Sequence, residues 1–291
     1  MKILQICQKL PFPPIDGGAQ VTYFTTLGLL ANGVSVKVLA VNPSRISIPL
    51  DSTIFKNYEP ITQQTVEVDT RIRYHKVFTN FFKKKSYFTE RFHSEEFARS
   101  LSEILINEKF DIIQFEHAYM CIYLDLVRKL SSAKITLRPQ NLEHIIWQRY
   151  KQGMRNPLKK FFITYSAKRL AMFEQFVAMN VDMIFPLTDE DADVFRNFTP
   201  GTPSEVIPMG YDHKKLDCYN YDRQYENAVS FYHLASMDWL PNEEAVRWFM
   251  ENVAAKIISL HPDIKIYLAG RKMQDYFLNQ SGTNLNFRGG L

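Results

Sequence analysis

The chain has 291 residues, 46% of them hydrophobic and 23% charged, with 35 Lys and Arg against 31 Asp and Glu for a formal net charge of +4. That length exceeds what one hydrophobic core usually organises, so two domains are expected, and the composition is that of an ordinary soluble globular protein. The charge is too mild to imply nucleic acid, the longest apolar runs are too short to span a bilayer, and the start does not read as a signal peptide.

Cys7, Cys121 and Cys218 are odd in number and far apart, which suits neither a disulfide framework nor a zinc site and fits a reducing cytoplasm. The chain opens on strand, loop, helix, strand. Ile3, Leu4 and Ile6 form an apolar run of the kind covered on both faces of a sheet. Pro11, Pro13 and Pro14 forbid helix, and Gly17 and Gly18 are expected to take backbone conformations closed to other residues just before a helix begins. Val21, Phe24, Leu27 and Leu30 predict the inward face of that helix, and Asn32-Gly33 its end. A Gly-Gly loop feeding a helix N-terminus offers bare N–H groups and a positive dipole end to a phosphate. The same loop serves equally as a ligand-free tight turn, and it is neither G-x-G-x-x-G nor a P-loop.

Residues 43–75 are broken by Pro43, Pro49 and Pro60, with a strand or hairpin expected in VEVDTRIRYHKV. Lys83, Lys84 and Lys85 follow two phenylalanines and read as a solvated turn or as a membrane-surface contact. SEEFARSLSEILINEKF predicts an amphipathic helix capped by Ser94, with Phe97, Leu101, Ile104 and Leu105 inward. DIIQFEHAY predicts a buried strand carrying Glu116 and His117 at its C-terminal end, where ligands of open α/β sheets collect. AKITLRPQNLEHIIW adds a strand and a loop with Arg138, Gln140, Asn141 and Glu143 before the next helix. In the long helical stretch that follows, with Pro157 in its first turn, Lys159, Lys160, Lys168 and Arg169 stand among many aromatics. Such a helix either packs on its own domain with solvated charges or lies on an anionic membrane surface. VDMIFPLTDEDADVF predicts a strand and a helix capped by Thr188, whose first-turn acids include Asp191 and Asp193. Their D-x-D spacing has the form of a metal site, but capping accounts for these carboxylates and no metal is expected.

TPGTP at 199–203 marks a surface loop, and a polar, Tyr-rich connector at about 213–227 places the domain boundary, giving 1–212 and 213–291. The second part restarts an α/β alternation. It holds the strand VSFYHLAS and a helix with Asn242 as N-cap and Val246, Phe249, Val253, Ile257 and Leu260 inward. The strand IKIYLAG, ending at Gly270-Arg271, and then NLNFRGGL follow.

In this order, PFPPIDGGAQ, RPQNLEHIIW, VIPMGYD and LASMDWLPNEEAVRWF resemble segments of family-4 retaining glycosyltransferases of the GT-B fold, of the type that builds bacterial cell-surface polysaccharides. The last segment is similar to G-S-M-D-W-x-P-N, with Ala235 where that motif usually has Gly, and Gln140 stands where the family often has His. The resemblance implies an α/β protein of two Rossmann-like doubly wound domains. The first, 1–212, would serve the acceptor, and the second, 213–291, would be a partial nucleotide-sugar domain, since the family's E-x7-E element falls beyond Leu291.

The implied reaction moves a sugar from a nucleotide-diphosphate donor to an acceptor hydroxyl with retention, in polysaccharide or glycolipid synthesis, with no metal and no cofactor besides the donor. The resemblance implies that Gly17 and Gly18 hold the diphosphate from the first domain. Ser236 and Arg271, with the Gly289-Gly290 turn, would contact phosphates and base from the second. Glu116, and after it His117, would take the catalytic place near the acceptor, with Asn141 and Glu143 lining the same cleft. The implied partners are a nucleotide sugar, a saccharide or lipid-linked saccharide, and peripherally the inner face of the membrane. Two other readings stay open: a nucleotide-sugar-binding protein without catalysis, and a GT-B sugar-nucleotide epimerase. An incomplete second sheet would leave an unpaired edge and an uncovered apolar face. The 291-residue chain is therefore expected to fold through its first domain, self-associate through the second, and lack transferase activity alone.

Overall fold

The strand and helix signals resolve into two units, Met1–His213 and Lys214–Leu291, in a computed structural model that describes residues 1–43, 62–71, 86–151, 154, 156–211, 230–237 and 239–289. Lys83, Lys84 and Lys85, the end of VEVDTRIRYHKV, Cys218, the connector at 213–227, Asp238 and Gly290 lie outside the described residues.

The first unit is built on a six-stranded parallel sheet in the order β3-β2-β1-β4-β5-β6. Its strands are β1 (Lys2–Cys7), β2 (Ser35–Pro43), β3 (Thr62–Val68), β4 (Ile112–Phe115), β5 (Lys134–Leu137) and β6 (Met183–Ile184). Its α-helices of seven residues or more are α1 (Gly17–Ala31), α2 (Glu95–Asn107), α3 (Leu124–Leu130), α4 (Glu143–Tyr150), α5 (Pro157–Met179) and α6 (Asp189–Phe198). Alternation along the strands feeds two cores. Ile3, Cys7, Val36 and Val38 pack with Tyr23 of α1 on one face, while Leu4, Ile6, Leu39, Ile113 and Phe115 pack with Phe97 and Leu101 of α2 on the other. Because every strand is parallel, all their C-terminal ends share one edge. The order reverses between β1 and β4, which is where open sheets of this kind form their ligand crevice.

Local signals act as the sequence predicts at several helix starts. The Ser94 side chain accepts from the Phe97 N–H and that of Thr188 from the Asp191 N–H, while Pro157 sits in the first turn of α5 behind the Asn156 cap. Gly33 closes α1 with φ 73°. Four expectations are corrected. Gly17 and Gly18 are the first turn of α1 and, unlike Gly33 and Gly270, do not have positive φ, so they are not there for conformational freedom. The deepest face of α1 is Ala19, Val21, Thr22, Tyr23 and Thr26, so Val21 is inward as expected, but Phe24, Leu27 and Leu30 are only half-buried, because polar side chains on the sheet draw the threonines inward.

Asn242 is not the N-cap of its helix. Trp239 holds that place, and the Asn242 side chain reaches back to the Ser236 carbonyl at 3.0 Å. Leu260 does not face inward either but is 67% exposed, because the helix passes through a π-helical turn that resets its register.

The second unit is a three-stranded parallel sheet, β7 (Ser230–Leu234), β8 (Lys265–Gly270) and β9 (Leu285–Gly289). A long helical run links β7 to β8, made of α7 (Leu240–Phe249), the π-helical turn Met250–Ala254 and α8 (Ala255–Leu260), and the short helix Asp275–Leu278 lies between β8 and β9. Met237, Val246, Ile266, Leu268, Phe277 and Phe287 form its own core. Gly270 has φ 154° and a backbone so close to Ala235 that a Cβ would stand 1.7 Å from the Ala235 carbonyl oxygen, so only glycine fits there. Among the described residues no helix is long and apolar enough to cross a membrane.

Candidate functional site

A row of polar side chains crosses the centre of the first sheet. Gln5 of β1 is in register with Gln114 of β4, and Gln114 with Thr136 of β5, all of them buried. Two residues beyond Gln114, on the same face, Glu116 leaves β4 at the strand-order reversal and is 1% exposed. Its Oε1 accepts from Gln5 Nε2 at 3.0 Å and from Gln114 Nε2, and its Oε2 from Thr22 Oγ1 of α1 at 3.2 Å. The Thr26 hydroxyl completes the row by donating to Gln5 Oε1 at 2.6 Å. Burial pushes the Glu116 carboxyl above the usual carboxylate range, and the charge of Arg138 with the three donors only partly offsets it. Arg138 is 1% exposed and is lowered by its own burial against the opposing pull of Glu116. Its Nη2 donates to the Ile207 carbonyl at 3.1 Å, tying the VIPMGYD segment to the strand ends, while its Nε is buried without a partner.

The head of α1 stands over this row. Asp16 caps the helix by accepting from the Ala19 N–H at 2.9 Å, and Lys9 donates to the same carboxylate at 2.6 Å. The first intrahelical bond is from Gln20 N–H to the Asp16 carbonyl, so the Gly17 and Gly18 N–H groups precede the ladder. Gln140 Nε2 bridges to the Gly18 carbonyl at 3.1 Å and to Thr22 Oγ1 at 3.2 Å. A Cβ on Gly18 would lie 2.6 Å from Gln140 Oε1 and 2.7 Å from Lys9 Nζ, whereas Gly17 has open space around it. A side chain at Gly18 would displace the ends of Lys9 and Gln140.

His117 and Glu143 do come together, but as a buried cluster. His117 Nδ1 accepts from the Tyr119 N–H at 3.3 Å, which assigns the ring proton to Nε2, and that N–H donates to Glu143 Oε1 at 3.0 Å. Tyr119 donates its hydroxyl to Glu143 Oε2 at 2.6 Å. Burial works to raise the Glu143 carboxyl, but His117, Tyr119 and the nearby Arg91 outweigh it and hold it below its usual range. Glu174 of α5 in turn accepts from the Glu143 and His144 N–H groups, capping α4 across the fold. Asn141, by contrast, is exposed and lines a pocket of about 290 Å³ with Ile145, Arg149, Asp191 and Val194. Burial and Glu190 raise the Asp191 carboxyl, with Arg149 opposing. Asp193 pairs with Arg196 at 2.8 Å. Among the described residues no group of three His, Cys, Asp or Glu could hold a metal ion.

In the second unit, Ser236, Arg271 and Gly289 share the C-terminal edge of the sheet, since Leu234 pairs with Ala269 and Gly270 with Gly289. The Met237 N–H donates to the Arg271 carbonyl at 2.9 Å, and the Arg271 side chain is exposed. Sequence reasoning missed Gln5, Thr22, Thr26, Gln114, Tyr119, Glu174 and Lys9. For the glutamines a signal exists: each interrupts an otherwise apolar strand, KILQIC and DIIQFE.

No protein-family model matches this chain, and no curated protein matches it by sequence. Solved structures do resemble it. Sucrose-phosphate synthase from Thermosynechococcus elongatus aligns over 100% of this chain and 71% of its own, with a TM-score of 0.59 at 12% identity. Anabaena HepE in complex with UDP-glucose aligns over 99% and 69%, with a TM-score of 0.54 at 11% identity. Phytolacca americana UGT2 complexed with UDP-2-fluoro-glucose and pterostilbene aligns over 100% and 71%, with a TM-score of 0.54 at 12% identity. These neighbours are GT-B glycosyltransferases, and at such identities they show the fold. The chain is an α/β protein of GT-B-like type, with two Rossmann-like units of which the second is partial.

Proposed function

We propose that the chain is a glycosyltransferase of the retaining, family-4 type that takes a nucleotide-diphosphate sugar as donor and a saccharide or lipid-linked saccharide as acceptor. The observation that carries the reading is the head of α1, where Gly17, Gly18, Lys9 and Gln140 gather at the strand-order reversal. Transfer requires charge to be stabilised on a departing diphosphate. The first N–H groups of α1 and its dipole supply fixed partial positive charge there. Lys9 supplies a whole charge, released from Asp16 toward the phosphates. Glu116 holds α1 against the sheet through Thr22 and is a positioning residue, since its carboxylate is enclosed by Gln5, Gln114 and Thr22. The pocket at Asn141 would take part of the acceptor. From the second unit, Ser236, Arg271 and Gly289 would serve phosphates and base, as a strand-end cluster of that kind can.

The test begins with UDP, the nucleotide carried by several of the neighbours. Titrated calorimetrically, UDP should bind the chain, and Lys9→Met should weaken it by roughly 10-fold, the loss of one charge-assisted contact. Incubation of the protein with a nucleotide sugar and acceptor should give a glycoside whose anomeric configuration matches the donor, unchanged by EDTA. An epimerised nucleotide sugar, binding without turnover, or activity lost on chelation and restored by manganese would each defeat the proposal.

A further inference from the structure

Helix α4 starts without a cap of its own. Its N-cap residue is Leu142, whose side chain accepts nothing, so the first N–H groups of the helix get no capping bond from it. They are met from another helix. Glu174 of α5 is 1% exposed; its Oε1 accepts from the Glu143 N–H at 2.9 Å and its Oε2 from the His144 N–H at 3.3 Å, with His144 Nδ1 bonded to the same Oε2. The His144 ring in turn lies 5.6 Å from that of Phe198, so this pair joins α4, α5 and α6. A buried carboxylate is a costly way to cap a helix, since Ser or Asp at position 142 would serve the same N–H groups without crossing the fold. The cost is visible: burial pushes the Glu174 carboxyl above its usual range, with His144 opposing. What the long-range cap adds is position, because it ties the start of α4 to the body of the unit.

The residues just before that start belong to the candidate site. Gln140 Nε2 reaches the Gly18 carbonyl at 3.1 Å and Thr22 Oγ1 at 3.2 Å, both on α1. Asn141, Ile145 and Arg149 line one side of the pocket, and Asp191 and Val194 of α6 the other. From Gln140 to the backbone that Glu174 holds is at most about 10 Å of chain, too short to absorb a shift of the cap. The Glu143 side chain pins the same turn to His117 and Tyr119, which leaves its backbone to Glu174. We propose that Glu174 is a positioning residue for the candidate site, setting from α5 where Gln140 meets the head of α1. It acts through Gln140 and touches no ligand. The consequence for nucleotide affinity rests on the reading of that helix head as a diphosphate site.

UDP affinity would be measured by calorimetry for wild type, Glu174→Ala, Glu174→Gln, Gln140→Ala and the double alanine variant. Hydrogen exchange of residues 16–24 would be followed in the same proteins without ligand. Glu174→Ala should weaken UDP binding about 5-fold, the scale of one neutral hydrogen bond, and Gln140→Ala by the same amount. Because one acts through the other, the double variant should also lose about 5-fold, where independent sites would lose roughly 25-fold. Glu174→Gln should bring affinity back to within about 2-fold of wild type, since its carbonyl still accepts from the Glu143 N–H and its amide can donate to His144 Nδ1. Glu174→Ala should also speed exchange in the first turns of α1, where none of the Glu174 hydrogen bonds ends. If Glu174→Ala does not fold, Glu174→Asp, with its carboxylate withdrawn by one methylene, is read in the same way. Multiplying losses in the double variant overturn the proposal, as does no recovery in Glu174→Gln, or wild-type affinity and wild-type exchange at 16–24 in Glu174→Ala. A wild-type protein that does not bind UDP overturns the diphosphate reading instead, and the exchange measurement then decides the positioning role by itself.

Discussion

Gly18→Val should raise the dissociation constant for UDP or a UDP-sugar by roughly 100-fold while the protein stays folded, the loss expected when two charge-assisted N–H contacts are blocked. The atoms in the way are the ends of two flexible side chains, Gln140 Oε1 at 2.6 Å and Lys9 Nζ at 2.7 Å, so the fold can yield by moving them. Moving them has a functional cost, because Gln140 fixes the Gly18 carbonyl and Lys9 is the nearest cation to the helix head. Gly28→Ala is the control. Nothing lies within 4 Å of its added Cβ, and a mid-helix alanine should add about 0.5–1 kcal/mol of stability without touching binding. Calorimetry and thermal unfolding on the same three proteins decide it. A Gly18→Val protein that binds UDP like wild type removes the phosphate role of this loop.

Glu116→Ala should destabilise the first unit by about 3 kcal/mol, since it leaves Gln5 Nε2, Gln114 Nε2 and the Thr22 hydroxyl facing a void. For a unit of this size that is a fall of roughly 6–12 °C in unfolding temperature. Glu116→Gln should be far milder, because its carbonyl still accepts from both glutamines and the Thr22 hydroxyl can turn to accept the new amide. The two variants also differ in pH dependence. A carboxyl raised by burial stabilises the fold while protonated, fully so below its unfolded pKa, and that contribution drains away as pH rises through the raised folded value. Wild type should therefore lose stability relative to Glu116→Gln as pH rises from about 4. Parallel stability curves for the two, or an alanine variant as stable as wild type, would show that the carboxyl is not buried as described.

Much of the architecture was legible because it rests on short-range rules. Ser94 and Thr188 cap helices three residues away, Gly33 takes the left-handed position directly after α1, and the inward set Phe97, Leu101, Ile104 and Leu105 follows from helical period alone. The strand-end positions of Glu116, His117, Ser236 and Arg271 likewise follow from alternation of apolar runs.

What those side chains do there was set by partners far along the chain. Glu116 meets Thr22 across 94 residues and Gln5 across 111, and Glu143 meets Glu174 across 31. Hydrogen-bond satisfaction in a dry interior is a property of the assembled site, so no local pattern distinguishes a carboxylate aimed at solvent from one enclosed by three donors. The same holds for α1, whose threonines turn inward because Gln5 and Glu116 wait on the sheet, and for Gly18, where a side chain would displace the ends of Lys9 and Gln140. The amino-acid sequence by itself determined the alternation, the caps and the parallel α/β class, all of which are decided within a few residues. Tertiary structure alone decided which polar groups are enclosed and which glycine is sterically required, because each depends on contacts between segments that meet only when the sheet has formed.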